Sequence, residues 1–217
     1  MEQKDSYKTI KNSSTGEYKD KGSKFIAYAF EINSEQEFKN QLDKIKKEHF
    51  KARHHCYAYA IGPDHGKYRY NDDGEPGGTA GLPIYNQIKS KELSNIGIVV
   101  VRYFGGTKLG VPGLINAYKS STKEALDNTE IIEKYIEDIV SIKYDYKYTG
   151  DIMKVINSSI AKISDTRFDE IPEIILKIRK SKTLELIKTI YSSILKRDIT
   201  DIAGDEEIEG LKIKILD

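Results

Sequence analysis

Three carboxylates occur within four residues of one glycine-rich segment, DDGEPGGTAG at residues 72–81. Asp72, Asp73 and Glu75 offer the oxygen ligands that hold divalent cations in proteins. Their spacing does not fit an EF-hand loop, which draws its ligands from about twelve residues. The alternative is a solvated turn in which Asp72 or Asp73 binds backbone amides. We favour the turn, and we predict neither a resident metal nor a cofactor.

The end of the same segment has the composition of an anion-binding turn. Gly77, Gly78 and Thr79 precede a predicted helix, and the first amides of a helix have no partner within it. The segment is not a nucleotide loop, because the patterns Gly-x4-Gly-Lys-Ser/Thr and Gly-x-Gly-x-x-Gly are both absent. We therefore expect these residues to allow a partner to approach the backbone closely.

A second segment, VRYFGGTKLG at residues 101–110, combines positive charge, aromatic rings and glycines. Its candidate binding residues are Arg102, Tyr103, Gly105, Gly106, Lys108 and Gly110. This combination suits a phosphate backbone with stacked bases, or an acidic peptide. The other interpretation is a tight turn between a strand and a helix, with Phe104 in the core. The residues alone leave both interpretations open.

A third segment, KARHHC at residues 51–56, places two histidines beside the only cysteine. On a strand, His54 and Cys56 face one side and His55 faces the other, so the histidines cannot bind one metal together. A Cys–His nucleophile is conceivable. A buried cysteine that behaves as a small apolar residue is the interpretation we favour. Arg53, His54 and His55 enter the predicted binding surface.

Composition excludes several classes of protein. The 35 Lys and Arg residues nearly balance the 34 Asp and Glu residues, which argues against polyanion binding by bulk charge. A single cysteine excludes a disulfide framework and a multi-thiolate metal site. Neither a long apolar run nor an apolar signal segment is present. We therefore predict a cytoplasmic protein that does not engage a membrane.

The first half of the chain has an α/β pattern. Its predicted strands are residues 24–32, 54–61, 68–70 and 96–103, and its predicted helices are residues 34–49, 79–88 and 112–127. Ser34 and Glu37 form a capping box, and Thr79 is the expected N-cap of the second helix. The strand at 96–103 is almost continuously β-branched, which is typical of a central strand covered on both faces.

The second half has the order βαββαβ, which is that of a ferredoxin-like domain. Its predicted strands are residues 136–146, 160–168, 171–180 and 207–216, and its predicted helices are residues 149–159 and 181–196. We predict domains at residues 1–130 and 131–217, and hence a two-domain α+β protein. Formal net charge is +3 for the first and −2 for the second, so we expect any basic surface on the first domain.

Three motifs in order resemble the IMPACT family, and in particular its bacterial YigZ-like branch. They are ARHHCYAY at residues 52–59, DDGEPGGTAGLP at residues 72–83 and VVVRYFGGTKLG at residues 99–110. The resemblance implies a first domain folded like the second domain of ribosomal protein S-five. It also implies a ferredoxin-like second domain similar to the last domain of elongation factor G. One departure is Asn116, where the family commonly has an arginine.

The resemblance further implies a role in translation, since the eukaryotic IMPACT protein acts in translational control. We therefore expect a binding protein whose partner is RNA, the ribosome or a translation-related protein, and we lean against an enzyme. Two alternatives stay open. One is a metal-dependent hydrolase that uses Asp72, Asp73 and Glu75. The other is a protein–protein adaptor in which Tyr103 and Phe104 anchor a peptide.

Overall fold

The computed structural model describes residues 5–216, which form two compact units with separate hydrophobic cores. The first domain is Ser6–Lys134, and the second contains Asp5 and residues 135–216. The first domain mixes three helices with seven strands, and the second places two helices against a four-stranded sheet. The predicted two-domain α+β class is confirmed.

A five-stranded antiparallel sheet is the framework of the first domain, with the strand order β2-β3-β6-β4-β5. In chain order the elements are β1 (Ser6–Ile10), β2 (Ser14–Asp20), β3 (Ser23–Glu31), α1 (Glu35–Glu48), β4 (His54–Ile61), β5 (Lys67–Asn71), α2 (Gly81–Ser90), β6 (Ile96–Tyr103), α3 (Gly110–Asp127) and β7 (Ile131–Tyr135). Strands β1 and β7 pair with each other in a separate two-stranded sheet.

Helices cover both faces of this sheet, which explains the apolar sequence of β6. Val99 and Val101 pack with Phe38 of α1 on one face. Val100 packs with Tyr118 of α3 on the other face, which α2 also covers. Every residue of β6 before Tyr103 is buried, as the sequence predicts for a central strand.

The predicted Ser34 cap of α1 is confirmed, although the Glu37 carboxylate accepts from the Asn33 amide instead of the Ser34 amide, and the predicted Thr79 cap of α2 is wrong. The hydroxyl of Ser34 accepts a hydrogen bond from the Glu37 amide at 3.2 Å. Thr79 is not a cap, because its hydroxyl donates to the Pro76 carbonyl at 2.7 Å and α2 begins at Gly81. The free amides of α2 are bound instead by Asp72, a residue well upstream.

The second domain has the topology that its sequence predicts. Its elements are β8 (Glu137–Tyr144), α4 (Thr149–Ser158), β9 (Lys162–Arg167), β10 (Glu173–Arg179), α5 (Lys180–Leu195) and β11 (Leu211–Leu216). The antiparallel strand order β11-β8-β10-β9 is that of a ferredoxin-like sheet. Both helices pack on one face, where Val140, Ile142 and Leu176 join Ile152 and Ile190 in the core.

No helix among residues 5–216 has both the length and the apolar character needed to cross a membrane.

Candidate functional site

The glycine-rich segment at residues 72–81 folds around the carboxylate of Asp72. Its Oδ1 accepts hydrogen bonds from the amides of Ala80 at 3.0 Å and Gly81 at 2.8 Å. Its Oδ2 accepts one from the Gly78 amide at 2.9 Å. These bonds satisfy amides at the start of α2, where a negative charge is also favoured by the helix dipole. Asp72 therefore fixes the shape of the turn.

Asp73 ties the same turn to β4. Its Oδ2 accepts from the His55 amide at 2.7 Å, and its carbonyl oxygen lies 2.8 Å from Nδ1 of His54. The backbone of Asp73 has a positive φ of 42° and is followed by Gly74 at 85°. His55 is buried, and burial lowers the pKa of its imidazole. His54 is half-buried and faces the cleft described below.

Glu75 lies at the centre of a buried polar network. Nη1 of Arg102 donates to Oε1 of Glu75 at 2.6 Å, and the Tyr118 hydroxyl donates to the same oxygen at 2.8 Å. The side chains of Arg102 and Glu75 are only 7% and 3% exposed. The Cys56 thiol donates to the Tyr118 hydroxyl at 3.2 Å and contacts the Asp72 carbonyl at 3.0 Å. The network thus joins β4, β6, α3 and the glycine-rich turn.

The three carboxylates therefore serve three separate purposes. Asp72 binds amides of its own turn, Asp73 binds β4, and Glu75 binds Arg102 and Tyr118. In the part of the chain that the structure describes, no three His, Cys, Asp or Glu residues form a group that could hold a metal ion. The hydrolase alternative consequently lacks a ligand set within residues 5–216.

Cys56 is buried in the first-domain core, as predicted, and its thiol also belongs to the polar network around Glu75. Burial strongly raises the pKa of its thiol. We expect Cys56 of the native protein not to react at pH 8 with a chromogenic aromatic disulfide that detects thiols, because the thiolate is the attacking form. The same protein in urea should release one equivalent of the chromophore within minutes. Rapid reaction of the folded protein would contradict this burial.

A cleft of about 470 Å³ opens beside the buried network. Its walls include Arg53, His54, Phe104, Lys108, Val111 and Leu114. Arg53 and Lys108 are exposed, and neither has an ion-pair partner among residues 5–216. Phe104 is 56% exposed. The interpretation of the 101–110 segment that placed Phe104 in the core is therefore wrong. The cleft therefore combines free positive charge with an accessible aromatic ring.

Arg102 also lines this cleft, but its charge is engaged below the surface. Its guanidinium lies 5.5 Å from the centre of the Phe25 ring and 5.6 Å from that of Phe104. With Glu75 bound to it, Arg102 supports the floor of the cleft and the exposed ring. The free cations of this site are Arg53 and Lys108.

Two residues of the 101–110 segment contact the protein itself. Tyr103 is half-buried toward α1, where its hydroxyl lies 2.8 Å from Nδ1 of His49. A Cβ atom at Gly105 would overlap the backbone of Gly22 and Ser23, so this position requires glycine. Gly105 accordingly lets the loop approach the β2–β3 turn rather than a ligand.

Three other glycines of the predicted surface have open space beside them. A Cβ atom at Gly77, Gly78 or Gly106 would meet nothing within 4 Å. Gly110, with φ of 71°, is the first residue of α3. The cleft also has an apolar wall of Leu109, Val111 and Leu114. Leu109 lies within the 101–110 segment but was not among the candidate binding residues, and Val111 and Leu114 lie outside the motifs. The sequence feature that could have identified this wall is the run of apolar residues at the start of the helix predicted for residues 112–127.

The fold and the site define a two-domain α+β protein whose first domain carries a cation-bearing cleft. The Impact N-terminal domain model matches residues 21–126. IMPACT family member YvyE of Bacillus subtilis is 36% identical over 178 residues, which cover 82% of each chain. An IMPACT family member of Haemophilus influenzae is 34% identical over 76% of this chain and 81% of its own. The chain belongs to the IMPACT family.

A solved structure supports the two-domain fold along the whole chain. This structure, described as that of a hypothetical protein, aligns with 99% of each chain at a TM-score of 0.70. The two sequences are 24% identical, so the likeness shows the fold alone.

Proposed function

We propose that this protein acts in translation as a binding protein and that the cleft of its first domain binds RNA. The observation that carries the proposal is the arrangement of Arg53, Lys108 and Phe104. Two cations without ion-pair partners in the described chain line the same cleft as an exposed ring. Cations pair with phosphates, and rings stack on bases. The link to translation rests on the family resemblance.

The geometry supports binding more than catalysis. A hydrolytic site needs an activated nucleophile or a metal-bound water near the substrate. The carboxylates beside this cleft are instead engaged by amides, Arg102 and Tyr118.

Ribosome co-sedimentation in a salt series, with and without ribonuclease, tests the proposal directly. Association that is lost on both treatments would support it, whereas protein that stays in the supernatant at low salt would contradict it.

Lys108→Ala is expected to weaken RNA binding and to flatten its salt dependence. Loss of one phosphate contact should reduce the slope of log K against log salt by about one unit. The measurement is fluorescence anisotropy with a labelled RNA at several potassium chloride concentrations. Lys89→Ala, which removes an exposed charge from α2 away from the cleft, should retain the wild-type slope. An unchanged slope for Lys108→Ala would exclude this contact.

The protein–protein adaptor is the second candidate, because the cleft has an apolar wall. Val111 is 52% exposed and lines the same cleft as Phe104, and the two offer apolar anchors for a peptide from a translation-related protein. Apolar anchoring survives salt that removes RNA from a basic surface. Retention of a protein partner at high salt, with loss that depends on Phe104, would favour the adaptor.

A further inference from the structure

The sheet of the second domain has one face that its helices do not cover. Val140 and Ile142 of β8, and Leu176 of β10, point into the core with α4 and α5. Because side chains alternate along a strand, the intervening residues lie on the opposite face. The cations of this opposite face are Lys143, Lys162, Arg167, Lys177, Arg179, Lys212 and Lys214, and its carboxylates include Glu137, Asp165 and Glu173. We call it the lysine face.

This finding corrects the expectation that basic surface belongs to the first domain alone. The net charge of residues 131–217 is negative, but many of the acidic residues lie elsewhere. A group of them precedes β11, at residues 198, 201, 205, 206, 207 and 209. The folded domain thus has its lysines on one sheet face and many of its acidic residues in the segment before β11, although the net charge counts both together.

The register of the sheet places lysines directly opposite each other. Lys143 of β8 faces Lys212 of β11, and Lys162 of β9 faces Lys177 of β10. Opposed like charges destabilise a sheet, because their Cβ atoms are about 5 Å apart. All four side chains are exposed, and only Lys143 has an ion-pair partner, Glu173, among the described residues. The domain therefore tolerates repulsion that an anionic partner would relieve.

Three of the lysines line a shallow depression of about 250 Å³ on the lysine face. They are Lys143, Lys212 and Lys214, and Ser141, Glu173 and Leu216 complete the lining. Glu173 accepts a hydrogen bond from Ser141 at 2.6 Å, and this bond holds the pKa of its carboxyl below the usual range. One ionised carboxylate consequently opposes three lysines, so the depression keeps a net positive charge.

We propose that the lysine face docks against the phosphate backbone of double-helical RNA, as a second RNA-binding surface. The proposal rests on the proposed function and adds a separate site to it. Tyr144 is the one aromatic residue in the four described strands, and it is buried on the helix side. The four strands of the face therefore offer no exposed ring on which single-stranded bases could stack. Double-helical RNA is bound largely through its shape and phosphates, which suits a face rich in lysines.

The test compares two variants that each lose four lysines. Lys143→Gln, Lys177→Gln, Lys212→Gln and Lys214→Gln are combined in the face variant. Lys154→Gln, Lys180→Gln, Lys182→Gln and Lys188→Gln are combined in the control, which changes α4 and α5 only. The probe is a labelled RNA duplex of about 16 base pairs, and its anisotropy is measured between 50 and 200 mM potassium chloride.

We expect the face variant to lose between three and four units of salt slope, at about 0.9 per phosphate contact. Over that salt range, wild-type affinity should then fall about a hundredfold more than the affinity of the face variant. The control should behave as wild type. The melting temperature of the face variant should equal or exceed that of wild type, since lysine repulsion is removed. A loss of binding would then not reflect unfolding.

The outcomes separate the two surfaces. A face variant with the wild-type slope overturns the lysine-face proposal, even where Lys108→Ala confirms the cleft. If the face variant has a lower salt slope than wild type while Lys108→Ala keeps the wild-type slope, the result supports the lysine face and counts against the cleft. A single-stranded RNA that binds as tightly, with equal dependence on these lysines, overturns the assignment to double-helical RNA. Binding of anionic lipid vesicles but no RNA overturns it as well.

Discussion

Arg102→Met is expected to lower the free energy of unfolding of the first domain by about 3–5 kcal/mol. The substitution removes the partner of Glu75 and leaves a carboxylate in a site where its side chain is only 3% exposed. Breaking one side of a buried ion pair costs more than the pair contributes, because the remaining charge stays desolvated. The measurement is urea unfolding, combined with hydrogen exchange of the β6 amides to follow this domain separately.

The control for Arg102→Met is Lys108→Met, which changes an exposed cation of the same cleft. Its effect on stability should be within about 0.5 kcal/mol. The double variant Arg102→Met with Glu75→Met should be less destabilised than the sum of the single variants, because neither charge is left alone. A stable Arg102→Met variant with a reduced RNA salt slope would show instead that Arg102 contacts phosphate.

The contrast between Arg102 and Lys108 shows what sequence reasoning could not provide. Both are cations in one predicted segment, and residue type gives them the same expected role. Their difference arises because Glu75, 27 residues before Arg102, reaches β6 in the folded chain. A local pattern cannot tell which cation has such a partner. The sequence identifies the candidates, and tertiary contacts decide which of them remains free.

Elements with strong local signals were predictable, and elements without them were not. The strand β6 is apolar throughout, and α1 has its capping box, so both were predicted closely. Strands β1, β2 and β7 have mixed exposure and few buried residues, which gives weak periodicity. The start of α2 was misplaced because Asp72 binds amides up to nine residues downstream. Such a cap has no fixed spacing that a sequence pattern could detect.

The lysine face shows the same limit for charge. The composition of the second domain predicts an acidic surface, and it cannot show that four strands place lysines side by side. Alternation within β11 does place Lys212 and Lys214 on one face. Their juxtaposition with Lys143 follows only from the register of β8 with β11. The order and register of the strands therefore bring lysines that are far apart in the sequence onto one surface.

Asp72→Ala is expected to lower the free energy of unfolding by about 2–3 kcal/mol. The variant leaves the amides of Gly78, Ala80 and Gly81 without their shared acceptor at the start of α2. Asp72→Asn should lose less, because its oxygen still accepts from Ala80 and Gly81 while its amide group cannot accept from Gly78. Urea unfolding of the two variants beside wild type measures the difference.

The same variants distinguish a structural turn from a cation site. A ligand that binds the native state adds RT ln(1 + [L]/Kd) to the free energy of unfolding and so raises the melting temperature. We expect Mg²⁺ and Mn²⁺ to leave the melting temperature of wild type unchanged, because the oxygens of Asp72 already accept three amides. A shift in wild type that disappears in Asp72→Ala and Asp73→Ala would return the hydrolase alternative to consideration. With no shift, the acidic segment acts by shaping the turn between Asp72 and α2, beside the cleft.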